Sequence, residues 1–276
     1  MEIVNSGALY YRHIDPLPRH STGWSDCVLH LSTFLQTEGR RRIPDATRDF
    51  ECLQKNVEQF ATWRASQQPG FMMDLVISVN GTIDIQEHLD MLNRINGQML
   101  NPTTRVTVFQ RPNIGWQWGG FWDVWLRWKG ITCEWWATLE NDCHLTDPDW
   151  FDVLQALLLT DPGACWVGMH EGWDGVNPNK FGSCQLPPTT WRGPHNEPLD
   201  HFESDTLIHS GGGFYFCRRK VLESFDRTFG CFTHALGCHF QLDGIISGEV
   251  AFSQKARALG WHYIARRETI EIWDGR

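Results

Sequence analysis

No stretch of the 276-residue chain approaches the roughly 18 consecutive apolar residues of a membrane span. Its start, MEIVNSGALYYRHIDP, has neither the basic nor the apolar region of a secretory signal, so a cytoplasmic protein is the expectation. The nine cysteines contain no CxxC pair and are odd in number, which excludes an obvious disulfide framework and makes most of them buried thiols. Positive charge is also short: 24 Lys and Arg stand against 33 Asp and Glu, a formal charge of −9. That balance argues against a broad, sequence-blind nucleic-acid surface, and the one tight basic run, GRRRIP at 39–44, reads first as a solvated turn. Internal repeats, low-complexity segments and linkers are absent.

What is present is enough apolar content, 41%, to bury one large core. The fifteen tryptophans suit sugar rings or bases as well as cores, and most are read as structural. CFTHALGCH at 231–239 could be drawn as a metal site through Cys231, His234, Cys238 and His239. Its spacing matches no common zinc pattern, and a loop or helix with soft, partly buried side chains is the preferred reading.

Residues 8–14 have strand character, 25–36 a helical pattern, and 47–64 a second helical pattern with Phe50, Leu53, Val57 and Phe60 in line. Regular punctuation follows. FMMDLVISV, RVTVFQ, CEWWATL and ACWVGM read as strands; IDIQEHLDMLNRI, GGFWDVWLRW and DPDWFDVLQALLL read as helices, the last with Asp147 as N-cap and Pro148 at its first position. Beyond the long, aperiodic stretch 171–205 come SGGGFYFCRRKVLESFD, a turn into a strand and helix, and a further helix in SGEVAFSQKARALGW. Alternation of this kind predicts an α/β protein with a mostly parallel sheet and helices on both faces, in which ligands bind beyond the carboxyl ends of the strands.

At one such end, ATLENDCHL breaks from an apolar run into Glu140, Asn141 and Asp142. Two carboxylates at i and i+2 make a hard-oxygen site for Mg²⁺ or Mn²⁺, with substrate phosphates completing the shell. The same pattern also serves as a solvated turn.

In order, DLVISVNG, VTVFQRPNIGWQWGGFWDVW, WWATLENDCHLTDPDWFDVLQALL, SGGGFYFCRRKVL and GEVAFSQKARALGW resemble the GT-A nucleotide-sugar glycosyltransferases, family 2 in particular, over residues 70–265. The resemblance implies a Rossmann-like GT-A domain over 1–276, with an N-terminal strand and helices in 1–69, a nucleotide-sugar half in 70–170 and an acceptor half in 171–276. It also implies transfer of a hexosyl or pentosyl group, with inversion, from a nucleotide sugar to an acceptor hydroxyl. Glu140 and Asp142 stand where the family has its DxD, so Asp142 would bind the metal and Glu140 the metal's water shell or a ribose hydroxyl. Glu249 stands where inverting relatives carry the catalytic base, with Asp243 as the second candidate. Asn113 and Gly115 match the Asn-x-Gly loop near the nucleotide. Asn80 occupies the turn that reads base or ribose, where the family's acids are missing. Gly212, in HSGGG at 209–213, would lie on the acceptor-side or diphosphate-side wall, Arg218 and Arg219 would supply charge to phosphates, and His262 is a candidate further metal ligand, as is Asp274.

Two other classes compete. A nucleotidyltransferase would also hold a nucleotide and metal at an acidic strand end, but calls for a Gly-rich basic signature that YYRHIDPLPRHSTGW barely echoes. A non-catalytic carbohydrate-binding protein with exposed Trp faces calls for mainly β structure, against which the helical periods count. The acceptor is open: a saccharide, glycolipid, protein, small molecule or modified nucleic acid.

Overall fold

A computed structural model describes residues 25–35, 46–113, 116–170, 211–230, 256, 259–265 and 270–272. In chain order the elements are β1 (Cys27–Thr33), α1 (Ala46–Thr62), β2 (Met73–Asn80), α2 (Gln86–Ile95), β3 (Met99–Asn101), β4 (Thr104–Arg111), α3 (Trp116–Trp128), β5 (Trp135–Glu140), β6 (Cys143–Leu145), α4 (Trp150–Thr160), β7 (Ala164–His170), β8 (Gly211–Arg218), α5 (Arg219–Phe229), β9 (His262–Ala265) and β10 (Ile270–Ile272). Eight strands form one sheet in the order β3-β4-β2-β1-β5-β8-β7-β9, and β6 and β10 pair separately. The β4-β2-β1-β5 centre is parallel, as is the β7-β9 pair, while β3 and β8 run antiparallel to their neighbours.

Helices cover both faces, as the alternation of elements predicts. Odd-numbered side chains of β1 and β2, such as Leu29, Leu31, Leu75 and Ile77, join the core that takes in Phe50 and Leu53 of α1, Leu92 of α2, and Trp150 and Leu154 of α4. Val28 and Val76 point the other way, into Trp118, Phe121 and Trp125 of α3 and Val221 and Phe225 of α5. The period-2 alternation of a strand thus feeds two separate cores. Trp118, Trp122, Trp125, Trp128, Trp135, Trp136, Trp150 and Trp166 are buried in them, which makes tryptophan mainly a packing residue among the described residues. Cys27, Cys52, Cys133, Cys143, Cys165 and Cys217 are buried and unbridged, and burial pushes the Cys133 thiol up to about 12.

The chain at 25–36 departs from the helical expectation. Cys27–Thr33 is a central strand, hydrogen-bonded between β2 and β5 and buried along its whole length. A strand covered on both faces is apolar without alternation, and Cys27, Val28, Leu31, Phe34 and Leu35 happen to follow a helical spacing as well. At α4 the helix begins at Trp150 with Asp149 in the N-cap position, and Asp147 acts two residues before that cap: its Oδ1 accepts the Asp149 amide at 2.8 Å. The expectations for 8–14, 39–44, 171–205 and 231–239 lie outside the described residues, as does the helix expected in SGEVAFSQKARALGW except for Ala256 and 259–261. Among the described residues no helix is long and apolar enough to cross a membrane.

Candidate active site

The carboxyl ends of β1, β2, β4 and β5 converge on one edge, with the first turn of α3 alongside. Register aligns Glu140 with Ser32 and Ser32 with Ser78, and one row further out Asn80 with Arg111. Even-numbered positions of β1, β2 and β5 and odd-numbered positions of β4 face α3, so the end of each strand contributes a polar group to the same side.

Beneath that row lies His30, fully buried, one ring nitrogen hydrogen-bonded to Thr138 Oγ1 at 2.8 Å and the other to Ser78 Oγ at 2.7 Å. Its ring stacks on Phe121 of α3 with centroids 5.8 Å apart. Burial first, and then the nearby Arg111 charge, lower its pKa to about 3, so the imidazole is neutral. Gln117 Nε2 donates to Thr138 Oγ1 at 3.1 Å and to the Gly213 carbonyl at 3.3 Å, tying α3 to the start of β8. Gly120 admits this arrangement, because a Cβ there would lie 2.7 Å from Ser78 Oγ and 2.9 Å from His30 Nε2.

Asn80, expected at the turn that reads the nucleotide, is buried at the end of β2. Its Nδ2 donates to Ser32 Oγ at 2.9 Å and to the Thr33 carbonyl at 3.2 Å, and its Oδ1 accepts from Arg111 Nη1. Arg111 in turn donates through Nε to Asp123 of α3 at 2.7 Å. Both ends of the Asn80 carboxamide are used inside the protein, so it braces the ends of β1, β2 and β4. Asn113 follows Arg111 at the same edge, partly exposed, with its Oδ1 buried and without a hydrogen-bond partner among the described residues; Gln117 Oε1 is in the same state.

The acidic turn leaves β5 at the neighbouring strand end. Glu140 and Asp142 are partly exposed while Asn141 and Cys143 between and after them are buried. The Asn141 amide donates to the Ser32 carbonyl at 3.0 Å, and its side chain donates to the Asp49 carbonyl of α1 at 2.9 Å. With Asn141 anchored inward, Glu140 and Asp142 on either side of it stay partly exposed. β10 closes the far side, with Ile272 opposite Cys143. Two carboxylates at a strand end suit a hard divalent cation that takes its remaining ligands from phosphate oxygens and water. Among the described residues no cluster of three or more His, Cys, Asp or Glu forms.

Arg218 and His262 fall elsewhere. Arg218 ends β8 opposite Trp135, the first residue of β5, and pairs with Glu134 at 2.7 Å. It therefore lies at the amino edge of the sheet, five residues or about 17 Å along β5 from Glu140. His262 opens β9 opposite Ala164, the first residue of β7, and bonds Asp161 Oδ2 at 2.8 Å on the same amino edge. The antiparallel return of β8 explains the first correction: an Arg-Arg pair after the strand is carried away from the edge where the Gly211–Gly213 segment begins it. Gly212 does come to the carboxyl edge, next to Gly211, which pairs with His170 at the end of β7. Gly115, Asp243, Glu249 and Asp274 lie outside the described residues.

The residues that sequence reasoning passed over are His30, Asn56, Arg111 and Gln117. Each is a polar residue on an apolar face, a signal visible only once the face is known.

This architecture is a Rossmann-like glycosyltransferase fold. It matches that of a mannosyltransferase from Pyrobaculum calidifontis solved with GDP-mannose and Mn²⁺, at a TM-score of 0.50 and 11% identity, over 92% of this chain and 57% of that one. It is one of 179 solved chains that match. No protein-family model and no curated protein sequence matches the chain.

Proposed function

We propose that the protein is a divalent-metal-dependent glycosyltransferase that moves a sugar from a nucleotide-sugar donor to an acceptor hydroxyl with inversion. The observation that carries the reading is the pair of partly exposed carboxylates, Glu140 and Asp142, at the carboxyl end of a central parallel strand, where α/β sheets bind their ligands. The similar fold that binds GDP-mannose and Mn²⁺ supports it. So do the Asn113 and Gln117 oxygens, whose missing partners a donor's N–H and O–H groups can supply.

Asp142 and Glu140 would hold Mn²⁺ or Mg²⁺, which would supply positive charge to offset the charge on the departing diphosphate. Asn113, Gly115 and Gly212 border the donor, and Asn80 acts through its brace on the strand ends. Glu249, with Asp243 as second choice, takes the proton of the acceptor hydroxyl as its oxygen bonds to the anomeric carbon; the bond from that carbon to the diphosphate oxygen breaks, and the electron pair leaves with the nucleotide. One base and one displacement give inversion. The protein works as the single domain 1–276, with donor residues in 70–170 and acceptor residues in 171–276. The acceptor stays as open as its sequence leaves it.

Two substitutions separate the roles. Asp142→Ala abolishes metal-dependent donor binding, while Glu249→Gln leaves donor binding intact and lowers transfer by at least about 100-fold. Calorimetric donor titration beside a transfer assay reads both, and full metal-dependent turnover in Asp142→Ala removes the site assignment.

A further inference from the structure

We propose that Asn56, a buried residue of α1 and no ligand itself, sets the position of the acidic turn so that Glu140 and Asp142 can share one cation; the proposal rests on reading that turn as a metal site. Asn56 Nδ2 donates to the Asn141 carbonyl at 2.8 Å and to the Cys143 carbonyl at 3.0 Å, with the Cys52 carbonyl of its own helix at 3.2 Å sharing one of its two hydrogens. The two distant acceptors are the carbonyls of the residues on either side of Asp142. One side chain therefore grips the backbone on both sides of the residue that would bind metal.

The neighbours of Asn56 continue the grip. Gln59 Nε2 donates to the Leu145 carbonyl at 2.7 Å, and the Asp49 carbonyl accepts from Asn141 Nδ2 at 2.9 Å. Positions 49, 52, 56 and 59 form one stripe of a helix, at i, i+3, i+7 and i+10. The carbonyls at 141, 143 and 145 recur every second residue, as the carbonyls along one side of an extended chain do. With β10 paired to β6 on one side, α1 stands in for a neighbouring strand on the other, supplying side-chain N–H groups where a strand would supply amides. Glu140 is held from the opposite direction, since the next amide, Asn141, donates to Ser32 of β1.

The chemistry at position 56 is narrow. Three carbonyl oxygens call for N–H donors, so Asp in this place would set a carboxylate against them, and Leu would fill the space without bonding. Groups that orient metal ligands from behind typically change metal affinity 10–100-fold when removed, whereas a residue that only stabilises the fold leaves the affinity of the folded protein unchanged.

The test uses the full chain and reads the Mn²⁺ dissociation constant from the electron paramagnetic resonance of free Mn²⁺, alone and with a mixture of UDP, GDP, TDP and CMP. Melting of each variant in EDTA gives the metal-free stability. Asn56→Leu is expected to weaken Mn²⁺ binding at least tenfold while still melting cooperatively, and Gln59→Leu, which frees only the more distant Leu145 carbonyl, about threefold. A folded Asn56→Leu protein with wild-type Mn²⁺ affinity overturns the proposal; should that variant not fold, wild-type affinity in Gln59→Leu overturns it instead. A wild-type chain that binds no Mn²⁺, or whose binding survives Asp142→Ala, removes the metal reading of the turn and this proposal with it.

Discussion

Protonating His30 would place a cation in the middle of the sheet with only the hydroxyls of Thr138 and Ser78 as hydrogen-bond partners. Its folded pKa of about 3 lies below the ordinary 6.5, so the unfolded chain takes up the proton first. The contribution of neutral His30 is fully present above pH 6.5 and is lost as pH falls from 6.5 toward 3. Between pH 7 and pH 5 this group alone costs about 2 kcal/mol of stability. Urea unfolding of wild type and His30→Gln at both pH values checks it: the variant is less stable at pH 7 and its loss on acidification is smaller by about that amount, whereas parallel losses would mean that His30 is already charged or already free to titrate. Among single side chains the legible ones were those that interrupt a pattern. Glu140 and Asp142 end an apolar run and announce themselves. Asn56 does not, because an Asn in an amphipathic helix reads as surface, and its partners stand 85 and 87 residues away.

Helix α3 and strand β1 carry the same lesson in opposite directions. The aromatic run of α3 was recognisable as a helix from GGFWDVWLRW alone. What could not be read is why Gly120 sits in it: the glycine is required by a contact with β1 and β2, not by any turn. Gly120→Ala gains about 1 kcal/mol of helix propensity but forces a methyl group against Ser78 and His30, and the net effect is a loss of about 1–2 kcal/mol. Gly130→Ala, where an added Cβ meets nothing within 4 Å, changes stability by less than about 0.5 kcal/mol. Chemical denaturation of the pair decides, and equal stabilities would show that α3 can shift outward freely. β1 was misread because burial on both faces erases the alternation by which strands are recognised, and with it went the central strand of the parallel sheet.

Across the sheet, candidate chemistry divides between two edges. Glu140, Asp142, Asn80, Asn113 and Gly212 meet at the carboxyl edge, while Arg218 and His262 lie at the amino edge, each with its own acidic partner. The order of motifs along the chain does not carry this division, because β8 reverses direction between them. Arg218→Ala and His262→Ala are therefore expected to leave Mn²⁺ and donor affinity within about twofold of wild type, because their contacts with Glu134 and Asp161 lie at the opposite edge of the sheet. Calorimetric titration measures this, and a tenfold loss in either variant would restore that residue to the site. The central claim, that the carboxyl edge binds a nucleotide sugar through a divalent cation, is tested most directly by the melting temperature of the full chain with UDP-, GDP-, TDP- and CMP-sugars, each with Mn²⁺ and with EDTA. A ligand at 100 times its dissociation constant adds about 2.7 kcal/mol to the folded state. The account predicts a clear rise for one nucleotide family, present with Mn²⁺, absent with EDTA and absent in Asp142→Ala. A rise with ATP or CTP but no sugar nucleotide, or no rise with any of them, would contradict it.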